Sequence, residues 1–168
     1  MKILISMLIL LTLVVPSVSI PESVQMGGYN LSFDIGQNAL NISLPTEIST
    51  ETLDGTPLNQ SSVTITGNDK CIMVIGVGKS SRMATSDIKH EMKEMLKNTV
   101  KTEAPVYDRT IDGHDGAISN FEGPDDSNWY SAMWLMNNTT GVFVMSSYPW
   151  DEGTLSFLKT IHIEKDIK

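Results

Sequence analysis

The apolar positions of this chain fall into three patterns. The first is a run from Ile3 to Val15, interrupted only by Ser6 and Thr12. The second is strict alternation. In "YNLSFDI" Tyr29, Leu31, Phe33 and Ile35 share one side, the mark of a half-buried strand. "ALNISL" alternates again until Pro45 stops it, and "SSVTITG" predicts a third strand. Residues 46–60 are polar and rich in turn formers, and predict a loop. After a turn at Asn68-Asp69, the nearly continuous apolar run "KCIMVIGVG" predicts a strand covered on both faces.

The third pattern has a helical period. Between Thr85 and Val100, Ile88, Met92, Met95, Leu96 and Thr99 lie on one face, with Lys89, Lys93, Glu94 and Lys97 largely away from it. Ser86 is the expected N-cap, and Asp87 suits the positive end of the helix dipole. Val106–Ile111 and Ala117–Phe121 predict strands around Asp112-Gly113-His114-Asp115-Gly116. "WYSAMWLM" and "GVFVMSSY" predict a long hairpin through "NNTTG". Trp129 and Tyr130 are adjacent there, so on a strand they face opposite sides.

A strand-to-helix joint follows at "YPWDEGT", residues 148–154. Pro149 ends the strand and Asp151 takes the N-cap position of a short helix, "DEGTLSFLKTI". Trp150 and Leu155 have the spacing of a hydrophobic staple across that cap. "HIEKDIK" reads as a tail. The expected fold class is α+β: an antiparallel sheet of about six to seven strands with two main helices packed on it.

Composition changes this picture mainly at the N-terminus. Lys2, the apolar run of about 13 residues and the small-residue triplet Ser17-Val18-Ser19 have the plan of a secretory signal, residues 1–19. That run is short for a membrane span, which needs roughly 20 residues. The alternative is an uncleaved N-terminal anchor. Either reading places residues 20–168, one α+β domain, outside the cytoplasm. Losing Lys2 takes the formal charge from −8 to −9. A surface of that sign argues against nucleic acid and against anionic lipid as partners. Membrane attachment is expected only through an uncleaved N-terminus. Cys71 is the sole cysteine, so no intramolecular disulfide forms, and its apolar setting predicts burial.

Candidate chemistry thins out under inspection. "GVGKS", Gly76 to Ser80, resembles the end of a phosphate-binding loop, but Met73 stands where the first glycine belongs. Ser86 and Lys89 have a Ser-x-x-Lys spacing without the other elements of penicillin-recognising enzymes. "HEMKE", His90 to Glu94, lacks the second histidine of a zinc peptidase. The acidic residues Asp108, Asp112, Asp115, Glu122, Asp125 and Asp126 lie close in sequence. Of these, Asp112, Asp115, Glu122, Asp125 and Asp126 are candidates for a calcium site, weighed against Asp-Gly turns that need no ion. Five sequons, at Asn30, Asn41, Asn59, Asn137 and Asn138, are glycan acceptor candidates in an exported chain. No nucleophile–base pair and no cofactor motif is present, so an enzyme is not expected; a small hydrolase is the third alternative.

The segments "TIDGHDGAISNFEG" (110–123), the Trp129-Tyr130 strand and "GVFVMSSYPWDEGTLSFLKTIHI" (141–163) together resemble the end of a PsbP-like domain. The order of elements resembles that family from Tyr29 to Ile163. The family has an antiparallel sheet sandwiched by helices. It includes extrinsic photosystem II subunits, a Ran-binding nuclear transport factor and secreted lipoproteins. Its members are mostly non-enzymatic and bind other proteins. The resemblance therefore implies an interaction module whose partner is another envelope or secreted protein, with calcium binding as the alternative.

Overall fold

The computed structural model describes residues 22–34, 39–51, 57–67, 71–79, 87–101, 103–123, 127–147 and 154–166. The signal or anchor, the cap candidates Ser86 and Asp151, the staple residue Trp150, and the carboxylates Asp125 and Asp126 lie outside them. The fold is broadly α+β, with far more strand than expected: among the described residues there are eleven strands in two antiparallel sheets and two short helices.

The smaller sheet joins the two ends of the described chain. Strands β1 (Glu22–Met26) and β2 (Tyr29–Phe33) form a hairpin, and β11 (His162–Lys165) pairs with the free side of β2. Gly27 and Gly28 turn that hairpin with φ of 59° and 77°, the left-handed pair that a two-residue turn demands. The larger sheet holds β3 (Ala39–Ile42), β4 (Thr46–Glu51), β5 (Pro57–Gly67), β6 (Ile72–Lys79), β7 (Val106–Ile111), β8 (His114–Glu122), β9 (Asn128–Asn137) and β10 (Thr140–Ser146). Its order is β3-β5-β6-β10-β9-β8-β7, with β4 beside the first half of β5.

Three of these strands correct the sequence reading. The residues described between 46 and 60 are strand and not loop: "TEISTE" (46–51) forms β4, and β5 starts at Pro57. Thr and Ile suit a strand, but β4 carries few apolar residues, so its composition resembles a loop. Pro57 is tolerated because it opens its strand. The "tail" forms β11, where Ile163 is the one buried residue among four, too short a pattern to show a period.

The first helix, α1 (Ile88–Met95), runs into a single π-helical turn, Leu96–Val100. Its N-cap is Asp87, not Ser86: Asp87 Oδ1 accepts from the amides of Lys89 (3.0 Å) and His90 (3.3 Å). The carboxylate therefore supplies both the cap and the favourable charge. Lys101, with φ of 62°, closes the helix by donating its amide to Leu96 O. The predicted face holds, since Met92 and Leu96 are buried while Ile88 and Met95 are half-buried. The second helix, α2 (Leu155–Thr160), buries Phe157 and Leu158, and Leu155 packs partly against the core.

The layers follow from strand alternation. One face of the large sheet contributes Val63, Ile65, Met73, Ile75, Val77, Ile118, Trp134, Val142 and Val144 to the main core. The small sheet and α2 cover it with Leu31, Phe33, Ile163 and Phe157; Phe33 and Phe157 meet ring to ring at 5.3 Å. On the opposite face α1 lies over β7, β8 and β9, packing Met92 and Leu96 against Ala117 and Phe121. Trp129 belongs to that second cluster, so the adjacent Trp129 and Tyr130 do point to opposite sides. Cys71 is half-buried against the main core.

Two neighbouring serines under α1 differ in their hydrogen bonding. Ser119 and Ser131 are opposed across β8 and β9, and both are buried. Ser119 Oγ donates to Pro105 O at 2.8 Å, whereas Ser131 Oγ has no partner among the described residues. Ser119→Ala should therefore cost about 1 kcal/mol, and Ser131→Ala should be neutral or stabilising by up to about 1 kcal/mol. Urea melts of both variants check this contrast.

Candidate functional site

The acidic hairpin is where charge and structure meet. Strands β7 and β8 are joined by Asp112 and Gly113 alone, with φ of 51° and 75°. Asp tolerates the left-handed conformation better than most residues, which is why an Asp-Gly pair suits this turn. The second pair, Asp115-Gly116, is not part of the turn but lies within β8. Gly116 is needed there for a different reason: an added Cβ would stand 2.7 Å from Met133 O.

The turn aims the Asp112 carboxylate at β11. Oδ2 accepts the Ile163 amide at 2.9 Å, and Oδ1 lies 2.8 Å from His162 Nδ1. The Asp112 side chain is 10% exposed and that of His162 62%. One carboxylate thus ties the far end of the large sheet to the C-terminal strand of the small one. Both of its oxygens are committed to this contact.

Of the calcium candidates, Asp112, Asp115 and Glu122 lie among the described residues, and they do not form one cluster. Asp115 and Glu122 lie on the same strand, seven residues apart, so roughly 23 Å of extended backbone separates them. Their odd and even positions also put them on opposite faces. Among the described residues, no three His, Cys, Asp or Glu side chains come together as a metal site. The three histidines are likewise dispersed over α1, β8 and β11.

Gly76 to Lys79 of the "GVGKS" segment prove to be strand. Gly76 and Gly78 belong to β6, paired with Phe143 and Gly141 of β10. The Phe143 ring lies on Gly76, where an added Cβ would come within 2.0 Å of it. Lys79 closes this end of the molecule. Its Nζ donates to Gly27 O and stands 4.9 Å from the centre of the Tyr29 ring. Tyr29 in turn pairs its hydroxyl with Thr140 Oγ1 at 3.0 Å. Sequence reading missed this contact, because its acceptor is a backbone carbonyl that no motif marks.

One feature of the large sheet is an open apolar strip. On the face that carries α1, strands β6, β9 and β10 present Ile72, Val74, Leu135, Phe143 and Met145, all half-buried. Val74 and Met145 are cross-strand neighbours, and Phe143 lies between Gly76 and Met133. None of the five belongs to either core cluster. Among the described residues, α1 lies over β7 to β9 and leaves this part of the sheet without a covering element. Ser62, Thr64 and Thr66 of β5 border the strip on its far side.

The His162–Asp112 contact makes stability depend on pH. The hydrogen bond to Asp112 and then its negative charge raise the His162 pKa; burial opposes them, and the charge of Glu164 adds a lesser increase. The folded pKa then exceeds the unfolded value of about 6.5. The contribution of the pair is therefore complete below that unfolded value and is lost as pH rises through the folded one. Chemical melts between about pH 5.5 and 8.5 should show this decline, and His162→Gln should flatten it. An unchanged slope in that variant would remove the pair as its cause.

No described helix is long and apolar enough to cross a membrane. No family model, curated protein or solved structure matches this chain, so a functional reading rests on its own geometry.

Proposed function

We propose that this chain is a non-enzymatic binding module of PsbP-like type that works outside the cytoplasm, with another envelope or secreted protein as its partner. The supporting observation is the open strip Ile72, Val74, Leu135, Phe143 and Met145. Contiguous apolar surface on a soluble domain, rimmed by polar side chains, is characteristic of protein interaction sites. Here the strip lies on a rigid, eight-stranded platform, which costs little conformational entropy to bind. The N-terminal signal pattern supports the location. The net negative charge of the chain favours a protein partner over nucleic acid.

The test separates binding from folding. The purified domain, immobilised at mild salt, should retain an envelope protein of its own cells. Met145→Asp should weaken that retention at least about tenfold, equivalent to about 1.4 kcal/mol. Glu94→Lys, on the exposed side of α1, should leave it unchanged. Both variants should keep a cooperative melt. Failure of the wild type to retain any partner, or equal retention by the Met145 variant, would overturn this reading.

A further inference from the structure

The five sequons become very unequal once the chain is folded. Transfer of a glycan to asparagine requires an enzyme to hold the side-chain amide and the hydroxyl two residues on at the same time. A strand paired on both sides cannot be lifted out for that purpose without breaking its ladder.

Four sequons fail this requirement in the folded protein. Asn30 lies on β2, the middle strand of the small sheet, where Nδ2 donates to Glu164 Oε1 at 3.4 Å and Oδ1 accepts from Ser23 Oγ at 2.9 Å. Asn59 lies on β5, between β4 and β6, with Oδ1 accepting from Ser49 at 2.8 Å, and its partner Ser61 is buried. Asn41 is exposed, but its partner Ser43 is half-buried, with its hydroxyl donating to Leu44 O and accepting from the Thr64 amide. Asn138 is exposed as well, but its partner Thr140 is 2% exposed and its hydroxyl is paired with Tyr29.

The fifth differs. Asn137 is the last residue of β9, paired with Thr140 on one side only, and Asn138 and Thr139 form the turn of the β9–β10 hairpin; all three are exposed. The chain folds back there, so that Thr139 donates both its amide (2.9 Å) and its hydroxyl (3.0 Å) to Asn137 Oδ1. The acceptor amide and the hydroxyl that must be read with it therefore stand side by side. Asn137 Nδ2 makes no hydrogen bond to a described residue and is free to react.

We propose that Asn137 is an N-glycan acceptor of the folded protein, distinguished from the other four sequon asparagines by the exposed pairing of its side chain with Thr139. This rests on the extracytoplasmic reading above, because the donor, a lipid diphosphate-linked oligosaccharide, is used on that side of the membrane. Asn137 Nδ2 forms a bond to the anomeric carbon of the first sugar. The bond from that carbon to the diphosphate oxygen breaks, the lipid diphosphate leaves, and the amide proton passes to a base on the transferase.

The test begins with the native protein taken from its own cells after fractionation, followed by mass spectrometry of its peptides. A carbohydrate increment is expected on the peptide that holds Asn137. It should vanish in Asn137→Gln and Thr139→Val, and persist in Asn138→Gln and Thr139→Ser. Purified, folded, unmodified protein given the lipid-linked donor and an oligosaccharyltransferase should be modified at Asn137 alone. Denatured chain should also accept at the sequons buried by folding. An exported protein without carbohydrate, or with it on Asn138, overturns the proposal while leaving the binding reading intact. Recovery of the protein only from the cytoplasm overturns both.

Discussion

Burial of one face of the large sheet under a small sheet built from both ends of the described chain governs the whole fold. Leu31, Phe33, Ile163 and Phe157 come from the covering layer, and Ile65, Met73, Ile75 and Trp134 from the covered one. Fully burying each such side chain is worth about 1.5–3 kcal/mol relative to leaving it exposed. Neither layer has that stabilisation alone, since a three-stranded sheet of four- and five-residue strands has no core of its own. The polar contacts then serve as alignment. Lys79 fastens the β1–β2 turn at one end of the large sheet, and Asp112 fastens β11 from the turn between β7 and β8.

This arrangement explains which parts of the fold could be read directly. Tyr29, Leu31 and Phe33 alternate in the sequence and are all buried, because each strand of the small sheet has one face on the core. Met92 and Leu96 repeat at a helical period because α1 rests on the sheet along one side. Alternation reports a face, but it does not report a neighbour. That β2 pairs with residues 162–165 depends on contacts between opposite ends of the chain, which no local pattern encodes. Strand β4 escaped for the opposite reason: a strand with few apolar side chains carries little periodic signal.

The candidate chemistry divides in the same way. Asp112 stands out in the sequence, and the Asp-Gly turn is where its neighbours place it. Its partners do not stand out, because one is a backbone amide and the other a histidine in a segment that looks like a tail. Carboxylates that crowd together in the sequence are spread apart by extended backbone, as Asp115 and Glu122 show along β8. The open strip on β6, β9 and β10 could not be recognised before folding either. Val74 and Met145 belong to strongly apolar runs that look fully buried, and only the position of α1 shows which part no described element covers.

The bond from Ile163 to Asp112 has a further consequence for how these molecules behave at high concentration. Strand β11 forms the outer margin of the small sheet, and such a margin offers amides to which another chain can add by hydrogen bonding. Asp112 occupies the Ile163 amide with a carboxylate that belongs to a rigid turn. A visiting strand would have to displace that charge and meet the flanking Glu164 and Lys165. The same side chain that joins the two sheets therefore acts as a guard against fibrous self-assembly, a protection supplied by folding and absent from the unfolded chain.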